Sequence, residues 1–207
     1  LESFSMAREA GFSNINVDLM SGLPGQSLQS WEESLHKTAQ LKPEHISAYS
    51  LIVEEGTPFA SQKLELPEEE EERKMYERTR EILEDWGYHQ YEISNYARPG
   101  RECRHNLGYW QRKEYLGLGL GSASLVGETR FSNIRSMENY LNYSGNVAKI
   151  REEREILTVQ EQMEEFMFLG LRMTEGISVA RFYEMFGIPL EQVYGKVLEK
   201  YKRMELL

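Results

Sequence analysis

A strand–helix–strand pattern near the start of the sequence constrains the fold more than any other feature. In 14–20 apolar residues alternate with polar ones, as in a half-buried strand, and the glycines and proline of 21–27 then favour a turn. Apolar residues recur at helical spacing through 28–41, until Pro43 ends the helix. The β-branched and aromatic stretch 45–54 predicts a second strand. Such a βαβ unit predicts adjacent parallel strands, a right-handed crossover and an α/β fold.

The middle and end of the sequence predict further elements. A helix over 67–87 begins in a run of glutamates, and a strand over 88–97 leads into a loop. The glycines at 116–121 favour a strand that another backbone or a flat ligand can approach closely, and a hairpin then turns near Gly127. Three helices follow, at 158–173, 178–187 and 190–204, and they resemble a winged-helix module.

The change from mixed to helical character predicts a domain boundary near residue 136. We therefore expect one domain at 1–135 and a second at 136–207. The pattern at Leu1 is that of an amphipathic helix already under way, so we also expect the chain to be a fragment that lacks an N-terminal portion.

Charge, hydropathy and cysteine content exclude several classes of function. The formal net charge is -10, which argues against nucleic acid as a partner because phosphate binding needs clustered lysine and arginine. No apolar stretch approaches the roughly 20 residues that cross a bilayer, and no signal-peptide pattern opens the chain, so we expect a cytoplasmic protein. The single cysteine excludes an intrachain disulfide and cannot by itself hold an iron–sulfur cluster.

Asp18 is the first candidate functional residue. It is predicted near the C-terminal end of a parallel strand and directly before a glycine-rich loop, and ligands of α/β folds bind at that end. A carboxylate there can accept hydrogen bonds from a ribose diol or an amine. It can equally order its own turn through backbone amides, and the residues alone leave both interpretations open. The later GLGLGS run, at 117–122, lacks the spacing of a dinucleotide fingerprint.

The segment CRHNLGYW, which begins at Cys103, is the second candidate. A nucleophilic pair of Cys103 and His105 would need a third orienting group and an oxyanion hole. The same two side chains could ligate a metal or a haem iron, with Tyr109 and Trp110 offering flat faces to a porphyrin. Composition alone favours a third interpretation, an ordered loop in which Asn106 binds backbone and the aromatic rings fill a core.

Nearly the whole chain resembles the oxygen-independent coproporphyrinogen III oxidase family of radical SAM proteins, and in particular its haem-chaperone branch. The resemblance rests on four stretches in this order: INVDLMSGLPGQSLQSWEESL, HISAYSLIVEEGTPF, YEISNYARPGRECRHNLGYW and YLGLGLGSASLVG. It implies the C-terminal part of a partial (β/α)6 radical SAM barrel over 1–135, followed by a small, mainly helical domain over 136–207. The family's CxxxCxxC motif for a [4Fe–4S] cluster would lie upstream of Leu1, so we do not expect this chain to bind the cluster.

The same resemblance implies which residues contact the cofactor and the haem. Asp18 matches the strand-end aspartate that contacts S-adenosylmethionine, and Ile52 and Ala123 match further contacts with that cofactor, made through backbone. The HNxxYW string looks like the signature of the haem-chaperone branch. Its haem-binding candidates are His105, Asn106, Tyr109 and Trp110, with Cys103 as a second ligand.

The implied function is that the full-length protein binds haem and passes it to a haem-requiring acceptor. S-adenosylmethionine and the cluster would then be needed for transfer or dimerisation, and both a homodimer and a membrane-associated acceptor are compatible with this function. The rival implied function is an enzyme of porphyrin biosynthesis, which uses a radical made from S-adenosylmethionine in the oxidative decarboxylation of a porphyrinogen. The partners are thus haem or a porphyrinogen and, for the chaperone, an acceptor protein.

Overall fold

The computed structural model describes residues 1–206 and contains two compact units, Leu1–Arg104 and His105–Leu207. Leu207, the last residue of the predicted C-terminal domain, lies outside the described residues. The units divide earlier in the chain than the expected boundary after residue 135, because residues between 105 and 135 bond to the helices that follow them. The assignment of 1–135 to the barrel domain stays a prediction.

The first unit contains a four-stranded sheet with two long helices packed on one face. Its elements are α1 (Glu2–Glu9), β1 (Asn16–Ser21), α2 (Leu28–Gln40), β2 (His45–Ser50), α3 (Glu69–Asp85), β3 (His89–Glu92) and β4 (Asn95–Ala97). The strand order is β1-β2-β4-β3; β1 and β2 are parallel, and the other neighbours are antiparallel. The predicted βαβ unit is therefore confirmed, with α2 joining two adjacent parallel strands.

Local sequence explains why α2 begins where it does and how α3 is held to it. The Ser27 side chain accepts a hydrogen bond from the Ser30 backbone, and Ser30 reciprocates, which forms a capping box. Trp31 of α2 is 1% exposed, and its indole nitrogen donates to Thr79 Oγ1 of α3 at 2.9 Å. The buried core of this unit comprises Trp31, Leu35, Ala39, Ile46, Met75, Ile82, Leu83, Tyr88 and Tyr96.

The single strand predicted over 88–97 is wrong, because the chain reverses within it. It forms β3 and β4, which pair as a tight hairpin. The buried Glu92 carboxylate accepts hydrogen bonds from the Ser94 backbone nitrogen, at 3.1 Å, and from the Asn95 amide. These bonds stabilise the turn, which the β-branched and aromatic composition of the segment did not indicate.

The second unit contains a three-stranded antiparallel sheet and a cluster of helices. Its elements are α4 (Arg104–Trp110), which starts at the last residue of the first unit, β5 (Ala123–Val126), β6 (Thr129–Asn133), α5 (Met137–Asn142), α6 (Val147–Ile150), β7 (Arg151–Ile156), α7 (Val159–Gly170), α8 (Val179–Phe186) and α9 (Leu190–Arg203). The predicted hairpin is confirmed as β5 and β6, and the three predicted helices are confirmed as α7, α8 and α9. Met163, Phe166, Phe182 and Leu190 form the core of the helical part.

Two local expectations for the second unit are wrong, and one of its strands was not predicted. The predicted loop after residue 98 contains α4, a short helix in which His105 and Tyr109 contact each other one turn apart. The glycine run forms turns instead of a strand, because Gly119 and Gly121 adopt positive φ angles of 96° and 65°. The third strand, β7, had no sequence signal, since its six residues are all exposed and mostly charged. No helix within residues 1–206 is both long and apolar enough to cross a membrane.

Candidate functional site

Asp18 lies on the face of the first sheet that points away from α2 and α3. Its neighbour Leu19 packs against the helical core, and side chains alternate along a strand, so Asn16 and Asp18 share the opposite face. Across the parallel ladder Asn16 pairs with His45, and Asp18 pairs with Ser47. The sheet register therefore places four polar residues together on one surface.

The position of Asp18 differs from the expected one in detail. It lies in the middle of β1 because the strand continues to Ser21, whose carbonyl accepts the backbone N–H of Leu51 at 2.9 Å. The Asp18 side chain is exposed, and its Oδ1 accepts a hydrogen bond from Asn16 Nδ2 at 2.6 Å. Within residues 1–206, its Oδ2 has no hydrogen-bond partner. One carboxylate oxygen is thus held and the other can accept a hydroxyl or amine donor, which fits a contact with a ribose or an amino group.

The His45 imidazole connects Asn16, which bonds Asp18, to Tyr91. The ring is buried, with Nδ1 2.6 Å from Asn16 Oδ1 and Nε2 2.7 Å from the Tyr91 hydroxyl. The Tyr91 oxygen also accepts the backbone N–H of Cys103 at 3.3 Å. Burial lowers the pKa of His45, and nearby carboxylates raise it by less than burial lowers it. The sequence reasoning missed Asn16, His45 and Tyr91, although the alternation that places Asn16 beside Asp18 was visible in β1.

The other two predicted contacts with S-adenosylmethionine lie in different units. Ile52 lies two residues after the end of β2 and is 74% exposed. Ala123 is the exposed first residue of β5 in the second unit. A side chain at Gly117 would overlap the Ala123 carbonyl oxygen, so at this glycine the expected close approach of another backbone occurs. The backbone at Ala123 is therefore fixed by local packing.

The exposed imidazole of His105 begins a row of three aromatic rings. Its ring centroid lies 4.7 Å from that of Tyr109, with the ring planes at 83°. The Tyr109 centroid lies 4.7 Å from that of Tyr115, with the planes at 79°. Edge-to-face contacts of this kind favour a defined ring orientation. The row therefore orients His105 while leaving its side chain accessible.

The remaining residues of the predicted haem signature have different surroundings. Arg172 covers one face of the Trp110 ring, with its Cζ 4.3 Å from the ring centroid. The Trp110 indole nitrogen is buried and has no hydrogen-bond partner within residues 1–206. Asn106 is half-buried, and Cys103 is a half-buried free thiol that precedes α4. In the described part of the chain, no group of three or more His, Cys, Asp or Glu side chains is arranged to hold a metal ion.

A buried ion cluster holds the end of α4 to α7. Arg112 Nε lies 2.9 Å from Glu165 Oε2, and Arg130 Nη2 lies 2.6 Å from Glu165 Oε1. The Arg112 and Glu165 side chains are each only 6% exposed, whereas that of Arg130 is 38% exposed. The sequence reasoning missed this cluster, since Arg112 and Glu165 are 53 positions apart.

Comparison with known proteins identifies the family. The family model described as HemN C-terminal domain matches residues 157–207. Heme chaperone HemW of Bacillus subtilis (strain 168) is 43% identical over 201 residues, which cover 95% of this chain and 53% of that protein. Heme chaperone HemW of Lactococcus lactis subsp. lactis (strain IL1403) is 36% identical over 210 residues, covering 100% of this chain and 55% of that protein. The chain belongs to the HemN-like radical SAM family.

Structure comparison supports the same conclusion for the fold. The coproporphyrinogen III oxidase HemN from Escherichia coli, a radical SAM enzyme, matches with a TM-score of 0.78 at 20% identity, over 98% of this chain and 50% of that one. The HemN-like fold is the expected one, the C-terminal part of a radical SAM barrel followed by a mainly helical domain. The chain spans about half the length of the curated relatives it matches.

Proposed function

We propose that the full-length HemN-like protein is a haem chaperone, which binds haem and delivers it to a haem-requiring acceptor protein. The observation that carries the proposal is the likeness of almost the whole chain to heme chaperones HemW of two bacteria, at 43% and 36% identity. The likeness to the oxidase HemN, at 20% identity, supports the fold alone.

In this proposal His105 is the haem ligand. Imidazole is the most common protein ligand of haem iron, and the His105 ring is exposed and oriented by Tyr109. Tyr109 presents an aromatic edge beside the ligand, while Trp110, with one face covered by Arg172, holds the helix end in place. Asn106 and the half-buried Cys103 thiol are the remaining candidates for contact with haem or its iron.

The proposal also includes S-adenosylmethionine and a [4Fe–4S] cluster in the full-length protein. Asp18 would bind the cofactor through its unpartnered carboxylate oxygen, and Ile52 and Ala123 would contribute backbone contacts. When bound, the cluster would supply electrons to the cofactor; its ligands are proposed to lie outside this chain, which has one cysteine. We place the protein in the cytoplasm, with a homodimer and a membrane-associated haem acceptor as further parts of the proposal.

Haemin titration of the full-length protein tests the haem ligand. Wild-type protein is expected to give a shifted Soret band that saturates with haemin, and His105→Ala is expected to lose this band. His89→Ala is the matched control, because His89 is also an exposed histidine, with its Nε2 3.7 Å from Glu102. An unchanged Soret band and affinity in His105→Ala would remove His105 as the ligand.

A second measurement separates the chaperone from an oxidase. Reduced, cluster-containing protein is incubated anaerobically with S-adenosylmethionine and coproporphyrinogen, and haem-loaded protein is incubated with an apo-acceptor. The proposal predicts haem transfer to the acceptor without formation of protoporphyrinogen. Stoichiometric or catalytic formation of protoporphyrinogen would instead establish the oxidase.

A further inference from the structure

Five groups in the first unit form a continuous hydrogen-bonded row across three strands. The row runs from the Asp18 carboxylate through the Asn16 amide, the His45 imidazole and the Tyr91 hydroxyl to the backbone nitrogen of Cys103. Its distances are 2.6, 2.6, 2.7 and 3.3 Å in that order. Asp18 and Asn16 are exposed, whereas His45 is only 5% and Tyr91 only 8% exposed.

The chemistry of the Asp18 end fixes the direction of the first two bonds in the row. An ionised carboxylate only accepts hydrogen bonds, so the Asn16 atom beside Asp18 must be the amide nitrogen. The Asn16 oxygen therefore faces His45, and Nδ1 of that ring must carry a proton to donate to it.

The protonation of the second ring nitrogen of His45, Nε2, follows from the same reasoning. Burial lowers the pKa of His45, which favours the neutral ring, so a protonated Nδ1 leaves Nε2 as an acceptor. The Tyr91 hydroxyl then donates to Nε2, and its oxygen accepts the N–H of Cys103. These donors thus find acceptors in the direction of Asp18. The Asn16 amide has a second partner, Ser47 Oγ, which lies 3.1 Å from Asn16 Nδ2.

We propose that His45 is a positioning residue for Asp18: held as the neutral Nδ1–H tautomer, it fixes the Asn16 amide so that one Asp18 oxygen is occupied and the other is presented to S-adenosylmethionine. This inference rests on the proposed cofactor contact of Asp18. The ligand chemistry is that of a hydroxyl or amine donor, because the free Asp18 oxygen can only accept. His45 itself does not touch the cofactor and acts only through Asn16.

A structural role for His45 would also account for its burial, so the test must separate the two roles. His45→Asn and His45→Gln form a matched pair of polar replacements. An asparagine amide comes close to the place of the imidazole Nδ1 and can still donate to Asn16, whereas a glutamine amide reaches toward the place of Nε2. A role in filling space predicts similar losses in both variants, while the positioning role predicts that only His45→Gln impairs cofactor binding.

The experiment measures binding of S-adenosylmethionine to the cluster-reconstituted, full-length protein by equilibrium dialysis. We expect His45→Asn to bind with near wild-type affinity and His45→Gln to bind roughly three- to tenfold more weakly, the loss that follows from one misplaced hydrogen bond to a carboxylate. Equal affinities in the two variants would overturn the inference. Asp18→Asn is measured in parallel, and if it binds the cofactor like wild type, the proposed cofactor contact fails instead.

Nitrogen-15 NMR of the histidine rings gives a readout that does not depend on the cofactor or on any variant's folding. His45 in the wild-type protein is expected to show a protonated Nδ1 and an unprotonated Nε2. The exposed rings of His36, His89 and His105 serve as internal references. Finding the proton of neutral His45 on Nε2 would overturn the inference, whatever the outcome of the binding measurements.

Discussion

Removal of the Glu165 carboxylate should destabilise the second unit strongly. The Glu165 side chain is 6% exposed and faces two guanidinium groups, of which that of Arg112 is equally inaccessible to water. In Glu165→Ala the Arg112 charge stays buried without a counterion, and one of its nitrogens, Nη2, already lacks a hydrogen-bond partner within residues 1–206. Arg130 contributes less, because its partly exposed guanidinium can be solvated.

The expected loss follows from these exposures. Leaving one partner of a buried ion pair unpaired costs about 3–5 kcal/mol. Loss of the second ion pair, with the partly exposed Arg130, adds at most about 1 kcal/mol. The free energy of unfolding should therefore fall by about 3–6 kcal/mol, which is a large part of the roughly 5–15 kcal/mol typical of a domain. Urea unfolding of the variant and wild type, followed by circular dichroism, measures the difference, with the slope against urea expected to be unchanged.

Two further variants make this prediction refutable. Glu164→Ala is the matched control, because Glu164 is the exposed neighbour of Glu165 and should change stability by less than about 0.5 kcal/mol. Replacing both partners, in Arg112→Met with Glu165→Met, leaves no unpaired charge between them and should recover most of the lost stability. The reasoning is refuted if Glu165→Ala is no less stable than Glu164→Ala, or if the double variant is less stable than both single ones.

Three other perturbations have defined outcomes. Burial lowers the pKa of His45 below its ordinary value of 6.5. The stability that neutral His45 contributes is therefore complete above pH 6.5 and is lost as the pH falls from 6.5 toward the folded-state pKa. Urea unfolding across this pH range should show the loss, and the loss should be smaller in His45→Asn. Gly117→Ala should destabilise by about 1–3 kcal/mol through overlap with the neighbouring carbonyl, whereas Gly145→Ala, which has open space, should not. Thr158→Ala should cost about 1 kcal/mol of stability by removing the helix cap. The Thr158 backbone N–H, the larger cause of the lowered Glu161 pKa, stays in place, so loss of the hydroxyl's hydrogen bond should raise that pKa only part of the way, which NMR titration measures.

Periodicity was sufficient to predict the elements that bury a continuous apolar side. β1 and α2 belong to this class, because Leu19 and Leu35 lie at positions that strand and helix periods direct toward one core. Periodicity failed for α4, because Gly108 and the polar residues of that segment favour a loop. The helix is instead held by contacts of Trp110 and Arg112 with partners far along the chain. Tertiary contacts thus decide the conformation of the very segment that carries the haem-binding candidates.

The candidate site shows the same division between local and distant information. Asp18 could be named as a candidate from the sequence because the strand that carries it and the loop that follows it are adjacent in sequence. Its support by His45 and Tyr91 could not be predicted, because those residues come from different strands and meet only through the register of β1 with β2 and the hairpin of β3 with β4. A single sequence contains no measure of that register, so a supporting row of this kind becomes visible only in the structure.

The end of α4 depends on the helical part of the second unit at three consecutive positions. Trp110 stacks under Arg172, the Gln111 carbonyl accepts a hydrogen bond from Arg181 at 2.6 Å, and Arg112 pairs with Glu165. These partners lie within the residues that match the HemN C-terminal domain. A chain cut after residue 135 would leave all three positions without these partners, so His105 would lose the framework that orients its helix. The haem binding proposed for the CRHNLGYW segment should therefore be weakened by Glu165→Ala in the haemin titration, even though Glu165 is not a haem-binding candidate.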